Sequence, residues 1–297
     1  MNARMQASFL PDGRLHLNDG PIDLVIGAEA AAPEARRACA AARDRFSTVL
    51  DELCAELALL RCAASADARP QGAVAQRMHT AVLPFAATGF ITPMAAVAGA
   101  VADEVLAAMT GAAELTRAYV NNGGDIALHL APGAHFDIGV AELPQTPNLF
   151  GAARLESSAP ARGVATSGWP GRSFSLGIAD SVTVFAATAA AADAAATVVA
   201  NAVDLPGHAA VTRVRACDLD PQSDLGARPV TRGVGLLTPA EIADALARGR
   251  AVAQRLLESG RIVAAALRLQ GTTHTVGALD ARPATAQNGP MARIARA

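Results

Sequence analysis

The chain has 297 residues, 52% of them hydrophobic, and a formal net charge of −2, so it can bury a sizeable core and is not a disordered segment. The near-neutral balance gives no electrostatic case for nucleic acid or an anionic membrane as the main partner. All 25 basic residues are Arg, which excludes chemistry that needs a lysine amine.

The first twenty residues lack the apolar segment and small-residue cleavage site of a secretory signal, and no charge-free run of about 18 apolar residues marks a membrane span. A cytoplasmic location is expected. Cys39, Cys54, Cys62 and Cys217 form no CxxC pair and no zinc spacing, so they read as small buried apolar residues. The six histidines are scattered, without an HxxxH or HExxH pattern.

Two short alternating runs flank Asn18-Asp19-Gly20-Pro21 and predict an opening hairpin. From Glu34 to Arg61 apolar residues recur at helical spacing, with Phe46, Val49, Leu50, Leu53, Leu57 and Leu60 near one face. A polar loop at 65–72 and a strand-like or irregular stretch at 79–91 lead to Thr92-Pro93, a cap and first position for a small-residue helix through Met109. Strands then flank the turn Asn121-Asn122-Gly123-Gly124-Asp125. Beyond it, GVATSG (163–168) ends a strand with Thr166, Ser167 and Gly168, where hydroxyls can meet phosphate or fold as an ordinary Ser-Gly turn.

SVTVFAA (181–187) reads as a strand that passes into an alanine-rich helix carrying one charge, Asp193. Asp193 and Thr197 lie one turn apart and share a face, an oxygen pair suited to Mg²⁺; an exposed Asp on a polar stripe is the plain alternative. Strand-like VTRVRA and VTRGVGLL follow, then a helix with a capping box at Thr238, Pro239 and Glu241 that ends at Gly260, and a last strand through Gly271. The tail from Thr272 to Ala297 is expected to be flexible. The many hairpin signals point to an α+β fold with mainly antiparallel sheet, and no GxGxxG or P-loop pattern occurs.

Taken in order, PMAAVAGAVAD (93–103), VNNGGDIAL (120–128), GVATSG (163–168) and SVTVFAATAAAADAAATVV (181–199) resemble the ApbE-like superfamily, whose best known members are FAD:protein FMN transferases. The spacing, with PQSDLGARPVT and LRLQG further on, is closest to a cytoplasmic, uncharacterised-protein-family branch of it. The resemblance covers about Gly13 to Gly271 and implies one domain (1–271) of two interlocked halves, each a T-fold-related sheet with packed helices. It implies Mg²⁺ on Asp193 and Thr197, and a flavin nucleotide, FAD, along Asn122, Gly123, Gly124, Asp125, Thr166, Ser167 and Gly168. It also implies cleavage of the FAD diphosphate and transfer of FMN to a hydroxyl of an acceptor protein.

Two departures limit that expectation. The transferases' H-x-x-D-P-x-T-G element is absent from the interval WPGRSFSLGIAD, and Ala98 stands where transferases have Lys. Acceptor activation would fall to His79 or Asp180, and the missing charge to Arg77 or Arg172. A non-catalytic ligand-binding or accessory protein, in sulfur or amino-acid metabolism, is the alternative. Small-residue helices and sheet edges need cover, which a homodimer would supply.

Overall fold

The opening alternation pairs as a hairpin in the computed structural model, which describes residues 4–141, 149–278 and 281–282. Strands β2 (Leu15–Asp19) and β3 (Ile22–Glu29) form it, and β1 (Gln6–Phe9), absent from the sequence reading, flanks β2. The predicted long helix is α1 (Ala32–Ala55), followed after Glu56 by one short turn, α2 (Leu57–Leu60). Its apolar stripe is buried at Phe46, Val49 and Leu53. Against the expectation of burial, Cys39 and Cys217 are only half-buried and Cys54 and Cys62 are exposed, Cys54 because it follows Leu53 off that stripe and Cys62 because it lies past the helix end.

Of the stretch 79–91, expected to be strand-like or irregular, residues 79–82 complete α3 (Ala73–Val82), a 3-10 turn follows at Leu83–Phe85, and 86–91 are irregular. Val74, Ala75, Met78 and Val82 are buried on one face, a helical spacing that outweighs the β-branched content. A second 3-10 turn, Pro93–Ala96, opens α4 (Val97–Ala112). Thr92 does not cap it; its hydroxyl donates to the Asp224 carboxylate instead. The span 93–112 is long and apolar enough to cross a membrane by composition, but here it packs on α1 and two strands of the sheet and carries Asp103 and Glu104.

The remaining strands are β4 (Arg117–Asn122), β5 (Asp125–Leu130), β6 (His135–Ala141), β7 (Leu149–Glu156), β8 (Gly163–Ser167) and β9 (Ser181–Ala186). After them come α5 (Ala189–Ala202), β10 (Val211–Arg215), α6 (Ala216–Leu219), β11 (Pro229–Val234), α7 (Pro239–Glu258), β12 (Ala264–Leu269), β13 (Thr272–Val276) and β14 (Ala281–Arg282). The α7 capping box forms as predicted, with Thr238 and Glu241 each bonding the other's backbone N–H. The tail does not begin at Thr272: residues 272–276 pair with β12, and 283–297 lie outside the described residues.

Among the described residues nine strands make one sheet in the order β1-β2-β3-β4-β5-β8-β9-β12-β13, and each neighbouring pair is antiparallel. The order contains a repeat. A strand pair, helices and a second strand pair occur as β2-β3, α1 with α4, β4-β5, and again as β8-β9, α5 with α7, β12-β13. The two halves join where Ile126 of β5 pairs with Val164 of β8. This is the expected α+β, mainly antiparallel architecture.

Strand alternation divides the sheet's two faces. Val120, Ala127, Ala165 and Val184 point to the helices, whereas Tyr119, Leu128, Val164 and Phe185 face the β6–β7 hairpin with Phe136 and Ile138. The halves also meet in the helix layer, where α4 crosses α5. A Cβ at Gly99 would lie 2.3 Å from the Ala189 carbonyl oxygen and 2.7 Å from the Ala190 nitrogen, so the crossing requires glycine. Gly99→Ala is expected to cost about 1–3 kcal/mol by overpacking, read as a lower urea midpoint at unchanged slope.

Candidate functional site

The β4–β5 turn positions two polar side chains toward the helices. Asn122 pairs across it with Asp125, and Gly123 and Gly124 both take positive φ, 64° and 111°, as a two-residue hairpin of this kind demands. Because Val120 and Ala127 face the helices, alternation turns Asn122 and Asp125 the same way. The Asn122 amide donates to the Ala98 carbonyl at 3.2 Å, which ties the turn to the start of α4. Asp125 accepts from the Thr166 backbone N–H at 3.2 Å, which ties it to β8.

Asp193 reaches the same place from α5. Its neighbours Ala192, Ala194, Ala195 and Ala196 are buried, and its carboxylate accepts from the Gly99 N–H at 3.0 Å and from the Ala98 backbone. These are first-turn donors of α4, which otherwise lack partners within the helix. The relation is reciprocal: Asp103, one turn into α4, accepts from Ala189 N at 3.0 Å and Ala190 N at 2.9 Å, the first-turn donors of α5. Each helix therefore caps the other. Asp193 is no solvated stripe residue.

The electrostatics are strained in one direction. Desolvation pushes Asp125 up to about 7, against the pull of the Thr166 N–H and the Arg172 charge. Asp193 is raised well above the usual carboxylate range by desolvation first, then by the negative charges of Asp125 and Asp103, with the α4 N–H groups opposing. Asp103 is also raised by burial. Carboxylates held close in a poorly solvated place are a donor set that a cation would neutralise.

No group of three or more His, Cys, Asp or Glu side chains forms a metal cage among the described residues. Mg²⁺ does not need one, since it takes one or two carboxylates and fills its shell with water and phosphate oxygens. Asp193, with Thr197 one turn further along the same face of α5 and partly buried, fits that requirement.

The other predicted residues divide between the two faces. Thr166 turns its hydroxyl to the β6–β7 side, 2.9 Å from that of Thr183, so only its backbone serves the carboxylates. Alternation returns Ser167 to the helix side, partly buried. Gly168 has a packing reason to be glycine, because a Cβ there would lie 2.4 Å from the Asp180 carbonyl oxygen. His79 sits on α3 with its Nε2 2.8 Å from the Ser65 carbonyl. Asp180 accepts from the Trp169 indole at 3.4 Å and from the Gln270 N–H at 2.5 Å, bracing the β12–β13 turn where Gln270 takes φ 42°.

Asp103 was missed in the sequence, although it gave the same signal as Asp193: an acidic residue inside an apolar helix. A cavity of about 660 Å³ lies on the Asp103 side of the crossing, lined by Arg77, Phe85, Glu104, Thr188 and Arg261 among others. Of the residues the sequence nominated for the site, Arg77 lines it, while Asp193, Thr197 and the residues of the 122–125 and 166–168 turns do not.

Comparison with known proteins gives this arrangement a family. UPF0280 proteins align with part of the chain. That of Methanococcus vannielii is 42% identical over 125 residues, covering 40% of this chain and 49% of the relative. That of Methanothermobacter thermautotrophicus is 40% identical over 121 residues, covering 39% and 44%. That of Methanopyrus kandleri is 38% identical over 128 residues, covering 43% and 48%. The chain thus spans about half the length of the curated relatives it matches. The model of the family described as AbpE bacteria matches residues 7–275, which include the Asp103, Asp125 and Asp193 carboxylates, and the chain belongs to that family.

Proposed function

We propose that this is an ApbE-like protein of the cytoplasm that binds a flavin nucleotide, FAD, together with Mg²⁺ at Asp193 and Thr197. The observation that carries the reading is the convergence of Asp193 and Asp125, from α5 and the β4–β5 turn, on the start of α4. The repeated order of strand pair, helices and strand pair supports a relation to the T-fold. The turn leaves room for close approach of a ligand at Gly124, where no atom lies within 4 Å of a built Cβ, while Arg172 covers Gly123.

When bound, Mg²⁺ would neutralise the charge of the diphosphate as the bond to AMP breaks. The chain's own part is to hold that ion at Asp193, keep Asp125 oriented through the Thr166 N–H, and fix the turn against α4 through Asn122. Purified protein is expected to release AMP from FAD when Mg²⁺ is present and to lose that release in Asp193→Ala. Absence of AMP from folded, metal-loaded protein that binds FAD would reject turnover.

A specific observation favours binding without turnover as the second reading. Both residues nominated for acceptor activation are engaged elsewhere, His79 with the Ser65 carbonyl and Asp180 with Trp169 and Gln270. Under that reading FAD raises the melting temperature without being consumed.

A further inference from the structure

Resting on the reading of Asp193 as a cation ligand, we infer that Arg172 binds the anionic group of the ligand at this site, a diphosphate whose other oxygens meet the cation. The guanidinium is placed over the β4–β5 turn. A Cβ added to Gly123 would lie 2.3 Å from the Arg172 Nη2 and 3.4 Å from its Cζ, so the guanidinium rests against the turn at a position where φ of 64° already favours glycine.

The loop that carries Arg172 is anchored. Trp169 N donates to the Ala179 carbonyl at 3.0 Å, Gly171 N donates to the Gly168 carbonyl at 3.1 Å, and the Trp169 indole donates to Asp180. Arg172 itself is exposed, and among the described residues it forms no salt bridge, while its charge still acts on Asp125. A guanidinium on an anchored loop, without an ion pair among the described residues and beside the half-buried Asp125, presents a fork of donors to a phosphate.

The structure also separates Arg172 from the other arginine that the sequence offers. Arg77 is held by Glu104 at 2.8 Å, and Glu104 is shared with Arg45 at 2.9 Å. That network spends the Arg77 charge within the helix layer. Arg172 is left as the cation that faces the turn.

The carboxylates repel an anion until a cation covers them, so Mg²⁺ and the diphosphate should bind cooperatively. Inorganic pyrophosphate and MgCl₂ are the probes, titrated separately and together by calorimetry into the wild type, Arg172→Ala and Arg172→Lys. Trp169, the one tryptophan in the chain and three positions from Arg172, supplies a fluorescence readout of the same event. Arg172→Ala is expected to weaken pyrophosphate binding by roughly 10–100-fold and to leave binding of Mg²⁺ alone nearly unchanged, with Lys recovering part of the loss.

Equal pyrophosphate affinity in the wild type and Arg172→Ala overturns the inference while leaving the Mg²⁺ reading intact. So does a wild type that binds Mg²⁺ and no pyrophosphate. Arg172-dependent pyrophosphate binding that ignores Mg²⁺ overturns the metal reading and keeps the role of Arg172. No binding of either probe rejects both.

Discussion

Asp193→Asn is expected to raise the melting temperature of the metal-free protein at pH 8 and to abolish its response to Mg²⁺. The carboxamide keeps an oxygen for the Gly99 N–H, so the α4 cap survives, while the charge that burial and Asp125 disfavour is removed. In the wild type, Mg²⁺ at about a hundredfold excess over its Kd should raise the melting temperature by roughly 4 °C. Asp193→Ala loses the cap as well and should lower stability by about 0.5–2 kcal/mol. Asp103→Ala is the informative control, since it removes the matching cap on α5 and should cost stability while keeping the Mg²⁺ response. If Asp193 is only a helix cap, Asp193→Asn and the wild type will respond to Mg²⁺ identically.

The second large effect is on pH. Asp125 is raised from 3.8 to about 7, and Asp193 is raised well above 3.8 in the same direction. Between pH 4 and 7 the folded protein keeps protons that the unfolded chain has released, so rising pH favours unfolding. Stability contributed by these groups is complete below pH 4 and is lost as pH climbs through 7, by at most on the order of 1 kcal/mol per pH unit and group. Because a cation must displace those protons, the stabilisation by Mg²⁺ should be absent near pH 5 and grow toward pH 8. Thermal melts across that range, with and without Mg²⁺, measure both slopes. A Mg²⁺ effect as large at pH 5 as at pH 8 would place the ion away from these carboxylates. Asp125→Asn should flatten the metal-free profile.

Much of the fold was legible because its signals are local. The α7 capping box needs only Thr238, Pro239 and Glu241, and the β4–β5 hairpin needs only the two glycines between Asn122 and Asp125. The failures were local conflicts that tertiary contacts resolved. Residues 79–82 carry Thr and Val that favour strands, yet they complete a helix whose buried positions, Val74, Ala75, Met78 and Val82, follow helical spacing. Thr92 looks like a cap, but Asp224, 132 positions away, takes its hydroxyl. Cys54 shares a helix with buried residues and still faces out, because burial follows the stripe and not the helix.

The candidate site shows the same division. An isolated Asp in an alanine helix, with Thr197 a turn away, is visible in composition and spacing alone, as are the glycines that permit positive φ at the β4–β5 turn. Spacing along one helix carries no information about which helix crosses it. That Asp193 meets Gly99, 94 residues away, that Asp103 returns the cap, and that Arg172 covers Gly123 follow from one close crossing and one anchored loop. Helix caps, turns and strand periods depend on neighbouring residues, so the chain declares them directly; the union of Asp103, Asp125 and Asp193 depends on how the two halves pack, and only the folded protein could decide it.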